Sequence, residues 1–425
     1  MIVIGMILGS VFGGIQSQYL GRKNTILTSV ILRIFGIGFI RFGPHHAFLF
    51  VGQFIIGFSG QYLVSAIPAY TGELCEPKLR KLTGAFFVTF FTSGATLMYL
   101  LTAIFKAKTS LLIVLIMSAI NFILVLFCPK SPTWLMSKGY KEEAKDILTR
   151  IRGSEDVANE EFKRLENNME KQLLDGKLQE EKKTIRSLLQ SIMQPNFLRP
   201  FLLLITLFIF GLQLSGATVM PLFFLPFLNQ TGVSEVFDSY WAASSLTLWR
   251  LFVTIVTMML ASKIPRRPFL IVPGSITVIG WFLLGLFTLL NESDNFQDSY
   301  PFIPWLIFIS VGIVMTGYSS GFCMVIFMLL GELLPSNLRG LGSGLIMLLS
   351  NLSWLLIVSL FPMLKNIFGL GVLFFFFSGA MLFVVVFASF FVPETFGLTL
   401  ENIEEHYRNK VQNKRNRTEE QIYTM

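Results

Sequence analysis
Two strings in the chain place a glutamate and an arginine seven residues apart: Gly72 to Arg80 reads GELCEPKLR, and Gly331 to Arg339 reads GELLPSNLR. The copies are offset by 259 residues, and each follows a long apolar run. Acids and bases at the ends of such runs can form ion pairs between helices, each worth only about 0.5–1 kcal/mol at a partly wet surface. A set of them biases a two-state equilibrium enough to serve as a reversible gate. Glu73, Arg80, Glu332 and Arg339 are therefore candidate gate residues, with Arg22, Arg266, Arg267 and Glu394 as further charges near the same ends. The plainer reading is that these charges anchor helix ends among lipid headgroups. No Walker loop, metal-spaced His/Cys cluster or nucleophile beside a base is visible, so neither enzyme activity nor a metal or other cofactor is expected.

The elements that must position these charges are membrane spans. Of the 425 residues 53% are hydrophobic and 14% charged, with mean hydropathy +0.64, too apolar for a soluble surface. Runs near the ~20 residues that cross hydrocarbon fall at 24–40, 47–71, 82–104, 110–128, 201–228, 237–261, 268–290, 302–330, 341–364 and 367–391. A shorter run at 1–17 makes eleven spans of an all-α polytopic membrane protein. Phe374 to Phe377 reads as mostly lipid-facing.

Orientation follows from charge. Twenty-eight of the 34 Lys and Arg fall on one face of the alternating loops, which the positive-inside rule makes cytoplasmic. The net charge of +8 is thus a matter of topology, and no nucleic-acid partner is implied. The sequons at Asn229 and Asn291 fall on the opposite, external side. Cys75, Cys128 and Cys323 fall in spans or on the cytoplasmic side, so no disulfide framework is expected.

The spans divide into an N-terminal half at 1–128, a cytoplasmic loop at 129–200, a C-terminal half at 201–391 and a basic cytoplasmic tail at 392–425. Within the loop, Ala144, Ile147, Leu148 and Ile151 share one helix face, as do Ile185, Leu188, Leu189 and Ile192. Phe162, Leu165 and Met169 mark a third amphipathic stretch, giving three short helices expected over the inner mouth. Five spans before the loop and six after it suggest a six-plus-six design without its first span, and Met1 is read as a truncated start.

Several strings in order resemble the sugar porter family of the major facilitator superfamily. They are Gly14 to Lys23 between the first two spans, Gly72 to Arg80, Pro129-Lys-Ser-Pro-Thr-Trp-Leu135, Gln213-Leu-Ser-Gly216 and Pro393-Glu-Thr-Phe-Gly397. The resemblance covers nearly the whole chain, which within the family most resembles the insect trehalose-transporter-like branch. It implies a bundle of two six-helix halves, here lacking the first helix, that works by alternating access with substrate held near the midplane. It also implies a sugar as partner, hexose or disaccharide, and a plasma-membrane location.

Departures from the family pattern thin both machineries. Gln18-Tyr19 and Ser262-Lys263 stand where the family has Asp-Arg, Lys130 reverses a glutamate, and Thr133 replaces an arginine. Leu212 and Val88 replace glutamines, and Cys323 to Phe327 replaces a segment with two hinge prolines and a tryptophan. Hydroxyls and amides that can bind a polyhydroxyl ligand remain at Gln213, Ser215, Thr218 and Asn351, with Phe327 as a stacking ring. Polar packing between helices is the competing role for each.

No Asp, Glu or His lies within a span core, which favours facilitated diffusion over proton symport, although the missing span is where family proton carriers hold an aspartate. Arg33 and Arg250 do lie within spans; for Arg250 the open readings are backbone pairing, snorkelling and a transport role. The sequence thus supports sugar transport, with a transport-incompetent sensor or scaffold, or a non-functional fragment, as the alternative.

Overall fold
The computed structural model describes residues 1–75, 83–180, 195–233, 237–261, 263–292, 302–334 and 339–395. The amphipathic stretch at 185–192 and the basic tail beyond Thr395 lie outside them, as does Arg80. The described residues are mostly helical and include no strand, as an apolar solvent requires of the spans: in hydrocarbon every backbone N–H and C=O must find its partner within the segment. Among the described residues ten helices are long and apolar enough to span a membrane. The eleventh apolar run, at 201–228, forms a span interrupted by a break.

The chain divides into two compact units. The first comprises Met1–Thr83 and Leu111–Phe197. It contains α1 (Ile2–Tyr19), α2 (Arg22–Phe42), α3 (His46–Leu74) and most of α5 (Ala107–Phe127), then the loop helices α6 (Pro132–Ser137), α7 (Lys141–Arg152) and α8 (Glu155–Glu180). The second comprises Gly84–Ser110 and Leu198–Met425. It takes in α4 (Thr83–Ile104), most of α9 (Pro195–Thr206), α10 (Phe224–Gln230), α11 (Ser239–Leu260), α12 (Pro268–Glu292), α13 (Ile303–Gly317), α14 (Cys323–Leu333), α15 (Arg339–Phe368) and α16 (Leu370–Phe391).

Lipid tails are as apolar as leucine, so helices in a bilayer gain little from hiding apolar surface and associate instead by close packing. In the first unit α1 presents Gly5 and Gly9 to α3, where an added Cβ would come within 2.1 Å of Phe54 O and 2.5 Å of Phe58 O. From the other side, a Cβ on Gly57 would lie 1.9 Å from Ile2 O. The second unit repeats the device between α12 and α13, where a Cβ on Gly280 would come within 2.7 Å of Val314 N.

The core of the second unit is aromatic. Trp281 stacks on Phe374 at 5.5 Å between centroids, and Phe361 stacks on Phe377 at 6.4 Å. Phe374 and Phe377 are buried, which corrects the lipid-facing expectation for this stretch; Phe376 alone of the four is largely exposed. The reason is helical phase. Residues 374, 377, 381, 384 and 388 line one face of α16 toward α12, a face that composition cannot mark when both faces are apolar.

In the loop, α7 buries Ala144 and Ile147 against Leu135 and Met136, with Trp134, Ile151 and Phe162 packed around them. Arg152 is the fixing point: it forms two hydrogen bonds with Glu161, at 2.6 and 3.0 Å, and donates to the Leu74 carbonyl at 2.8 Å. A guanidinium on the last carbonyls of α3 meets the negative end of that helix.

Gly57→Val should therefore force α1 and α3 apart and cost about 1–3 kcal/mol as overpacking, whereas Gly14→Val, with nothing within 4 Å of its would-be Cβ, should be near neutral. Thermal unfolding of the two purified variants checks this, and equal melting would contradict the close crossing.

Candidate functional site
Each unit gathers its charged helix ends into a cluster, and the two clusters share a plan. In the first, Glu73 at the end of α3 accepts from Arg22 Nε at 3.1 Å and pairs with Arg22 Nη2 at 2.9 Å. Arg22 Nη1 also donates to the carbonyl of Ser17, five residues earlier. The second carboxylate oxygen accepts from the Ser131 hydroxyl. In the second, Glu332 near the end of α14 accepts from Arg266 Nη2 at 3.1 Å, and Arg266 Nη1 donates to Ala261 O, again five residues earlier, at 2.9 Å. The other oxygen accepts from Thr395 Oγ1 at 2.6 Å.

Sequence reasoning named both glutamates, Arg22 and Arg266, but not the two hydroxyls. Their signal was present: Pro129-Lys-Ser131 and Pro393-Glu-Thr395 are two copies of Pro-x-Ser/Thr, each just after a span. Ser131 also caps α6 by accepting the Trp134 N–H at 3.1 Å, so one side chain ties the loop helix to the carboxylate.

The clusters differ at the middle residue of that tripeptide. Glu394 accepts the backbone N–H groups of Arg266 at 2.9 Å and Arg267 at 3.1 Å, putting negative charge on the positive N-terminal end of α12. Lys130, its counterpart, instead pairs with Glu143 at 2.8 Å, and α2 starts from Gly21 with no side-chain cap. Gly21 has φ +87° and lies under the Trp134 indole, which a Cβ would meet at 2.9 Å. The Arg267 side chain is exposed. Arg339 starts α15, its side chain falling outside the described residues, as all of Arg80 does.

The burial of the two pairs also differs. The Arg266 side chain is 4% exposed against 20% for Arg22, while the two glutamates are 23% and 16% exposed. Stranding a buried guanidinium costs more than stranding a wet one.

The polar residues expected to meet substrate lie in the second unit, around the interrupted span. There α9 runs into a wide π turn at Leu207–Gln213, breaks at Gly216 with φ +72°, and resumes through Met220–Phe223 into α10. A Cβ on Gly216 would lie 2.4 Å from the Phe377 ring. Next to this break Gln213 donates to Ser350 Oγ at 2.8 Å and accepts from Thr218 Oγ1 at 3.1 Å. Ser215 is fully buried and its hydroxyl turns back to the Leu212 carbonyl at 3.3 Å. Asn351, adjacent to Ser350, is buried with Nδ2 lacking a partner. Phe327 sits among rings rather than polar groups, edge-on to Phe208 at 5.4 Å and 6.0 Å from Phe87.

A second break lies between α13 and α14, where a π turn at Tyr318–Phe322 contains Ser320 with ψ 32° and Gly321 with φ +123°. The hinge prolines are absent, yet the helix still bends; a glycine supplies the conformation instead. The Ser319 hydroxyl in this turn is buried and unpartnered. Each such group costs about 1–3 kcal/mol unless something pairs with it.

A cavity of about 200 Å³ in the second unit is lined by Met220, Phe223, Phe227, Phe361, Lys365 and Phe374 among others. It contains none of the five expected substrate residues; four phenylalanines line it together with the polar Gln230, Lys365 and Asn366. Among the described residues no cluster of three His, Cys, Asp or Glu could hold a metal ion.

If burial sets the worth of each cluster, Glu332→Ala should cost about 2 kcal/mol and Glu73→Ala about 1 kcal/mol. Melting temperatures in one detergent check the order, and a larger loss for Glu73→Ala would contradict it.

The comparisons agree with this architecture. The family model described as "Sugar (and other) transporter" matches residues 1–407. The mouse protein named solute carrier family 2, facilitated glucose transporter member 6, is 28% identical over 428 residues, covering 95% of this chain and 81% of its own. The facilitated trehalose transporter Tret1 of Aedes aegypti is 25% identical over 404 residues, covering 95% of this chain, which spans about half (48%) of that relative. A partially occluded inward open structure of the xylose transporter XylE from E. coli superposes with TM-score 0.73 at 18% identity, covering 92% of this chain and 87% of that one. The chain thus belongs to the sugar porter family of the major facilitator superfamily and is a multi-pass membrane transporter, not an enzyme.

Proposed function
We propose that the protein carries a sugar, a hexose or a disaccharide such as trehalose, across the plasma membrane by facilitated diffusion through alternating access. The observation that carries this reading is the Gln213 cluster: a buried amide with hydroxyls on both sides, set at a helix break, with the unpartnered Asn351 amide next to Ser350. A polyhydroxyl ligand needs donors and acceptors of this kind, in a setting where water does not already satisfy them. Gln213, Ser215, Thr218 and Asn351 are the proposed contacts. Phe327, packed beside Phe208 and Phe87, is the proposed stacking ring.

The charged clusters act in this reading as the cytoplasmic gate. Each holds its helix ends by one guanidinium and one hydroxyl, strong enough to define a closed arrangement and weak enough to release. The carboxyl tail then faces the cytoplasm, in keeping with the positive-inside bias. Facilitated diffusion is supported by the carboxylates: every described span holds its Asp and Glu at the ends, as Glu73, Glu292 and Glu332 do, leaving no carboxylate in a described span interior.

Radiolabelled hexose and trehalose uptake by the full chain in oocytes should be saturable and unchanged by a protonophore. Gln213→Ala should lower uptake about tenfold, the loss of one or two buried hydrogen bonds. Absence of uptake for every sugar tested would overturn the carrier reading, and collapse with the protonophore would overturn facilitated diffusion.

A further inference from the structure
Arg250 is placed where a charge is hard to keep. It lies eleven residues after the start of α11 and ten before its end, so about 15 Å of helix extends on either side. That is beyond the reach of a snorkelling side chain. No carboxylate pairs with it among the described residues, and its Nε is buried without a hydrogen-bond partner. Its guanidinium carbon instead lies 5.8 Å from the centre of the Tyr318 ring, at the second helix break. Ser319, the next residue in that break, is buried with its hydroxyl unpartnered.

The same guanidinium is within electrostatic reach of Tyr99 on α4. Tyr99 donates to the Pro221 carbonyl at 2.7 Å and its ring meets Phe224 edge-on at 6.3 Å. Both partners belong to the interrupted span that carries Gln213 and Thr218. The cation thus lies at the second helix break with a buried, unpartnered Nε and no carboxylate partner among the described residues.

We propose that Arg250 receives a carboxylate of the transported molecule, which makes the substrate class a sugar acid such as a hexuronate. This rests on the reading of the Gln213 cluster as a sugar site and refines it. A planar guanidinium matches a carboxylate in shape and by charge-assisted hydrogen bonds. One cation also balances one negative charge, which favours a carboxylate over a phosphate dianion.

Binding of D-glucuronate, D-glucose and D-glucose 6-phosphate to the purified full-length chain tests this, by calorimetry or intrinsic fluorescence. Glucuronate should bind about tenfold or more tightly than glucose, the usual scale for one hydrogen bond to a charged group. Arg250→Gln should abolish that preference, and Arg250→Lys should retain part of it. Gln213→Ala should weaken both sugars together, which tests the underlying site separately. Glucose bound as well as glucuronate by the unmodified chain, or a preference that survives Arg250→Gln, would overturn the assignment while leaving the sugar site standing. Tighter binding of glucose 6-phosphate would replace the carboxylate by a phosphate and overturn it as stated. No binding of any of the three would overturn both readings. Should Arg250→Gln fail to fold, the ratio in the unmodified chain and in Arg250→Lys decides.

Discussion

The carboxylate clamp at each set of charged helix ends is the interaction on which the rest of the architecture depends. In a bilayer apolar helices have no solvent-driven reason to prefer one neighbour over another. Glycine crossings such as Gly57 of α3 against α1 and Gly280 of α12 against α13 set how closely helices approach, but they do not by themselves fix which ends meet. The clamp does so by joining segments far apart in sequence: Glu73 to Arg22 and Ser131, and Glu332 to Arg266 and Thr395. Each arginine also reaches back to a carbonyl five residues earlier, which holds the loop between spans in a fixed turn. A carboxylate accepting on both oxygens has little freedom left to choose other partners.

Between the clamped ends and the midplane, both breaks in the second unit are made by glycine, at Gly216 and Gly321, and each is closed by an aromatic ring, Phe377 or Phe269. A broken helix frees backbone and small polar side chains inside the apolar layer, where water does not satisfy them. Gln213, Ser319 and Asn351 lie at or beside these breaks or on the facing helix, and the latter two keep an unpaired donor. The same physics that makes the fold costly there makes the place suitable for a polyhydroxyl ligand.

Much of this was legible in the sequence, because a span needs about 20 apolar residues and a charge bias sets its direction. Less visible was anything decided by helix phase or by distant partners. Phe374 and Phe377 could not be told from Phe376 by type, yet they face the core and it faces outward. The Glu-Arg spacing of seven drew attention to Arg80 and Arg339, whereas the described partners of the glutamates come from 51 and 66 residues away. The segment from Cys323 to Phe327 lacks the two hinge prolines of the family pattern, yet the chain bends just before it at Gly321. Ser131 and Thr395 were missed because a lone hydroxyl after a proline carries little signal until its twin is noticed.

A double-mutant cycle on Arg266 and Glu332 tests the clamp most directly, using unfolding free energies of the two alanine variants and their combination. The account predicts a coupling of about 1–3 kcal/mol, since the two side chains form a direct, partly buried ion pair. Losses that add to within about 0.5 kcal/mol would show that the pair does not hold these helix ends, and would contradict it.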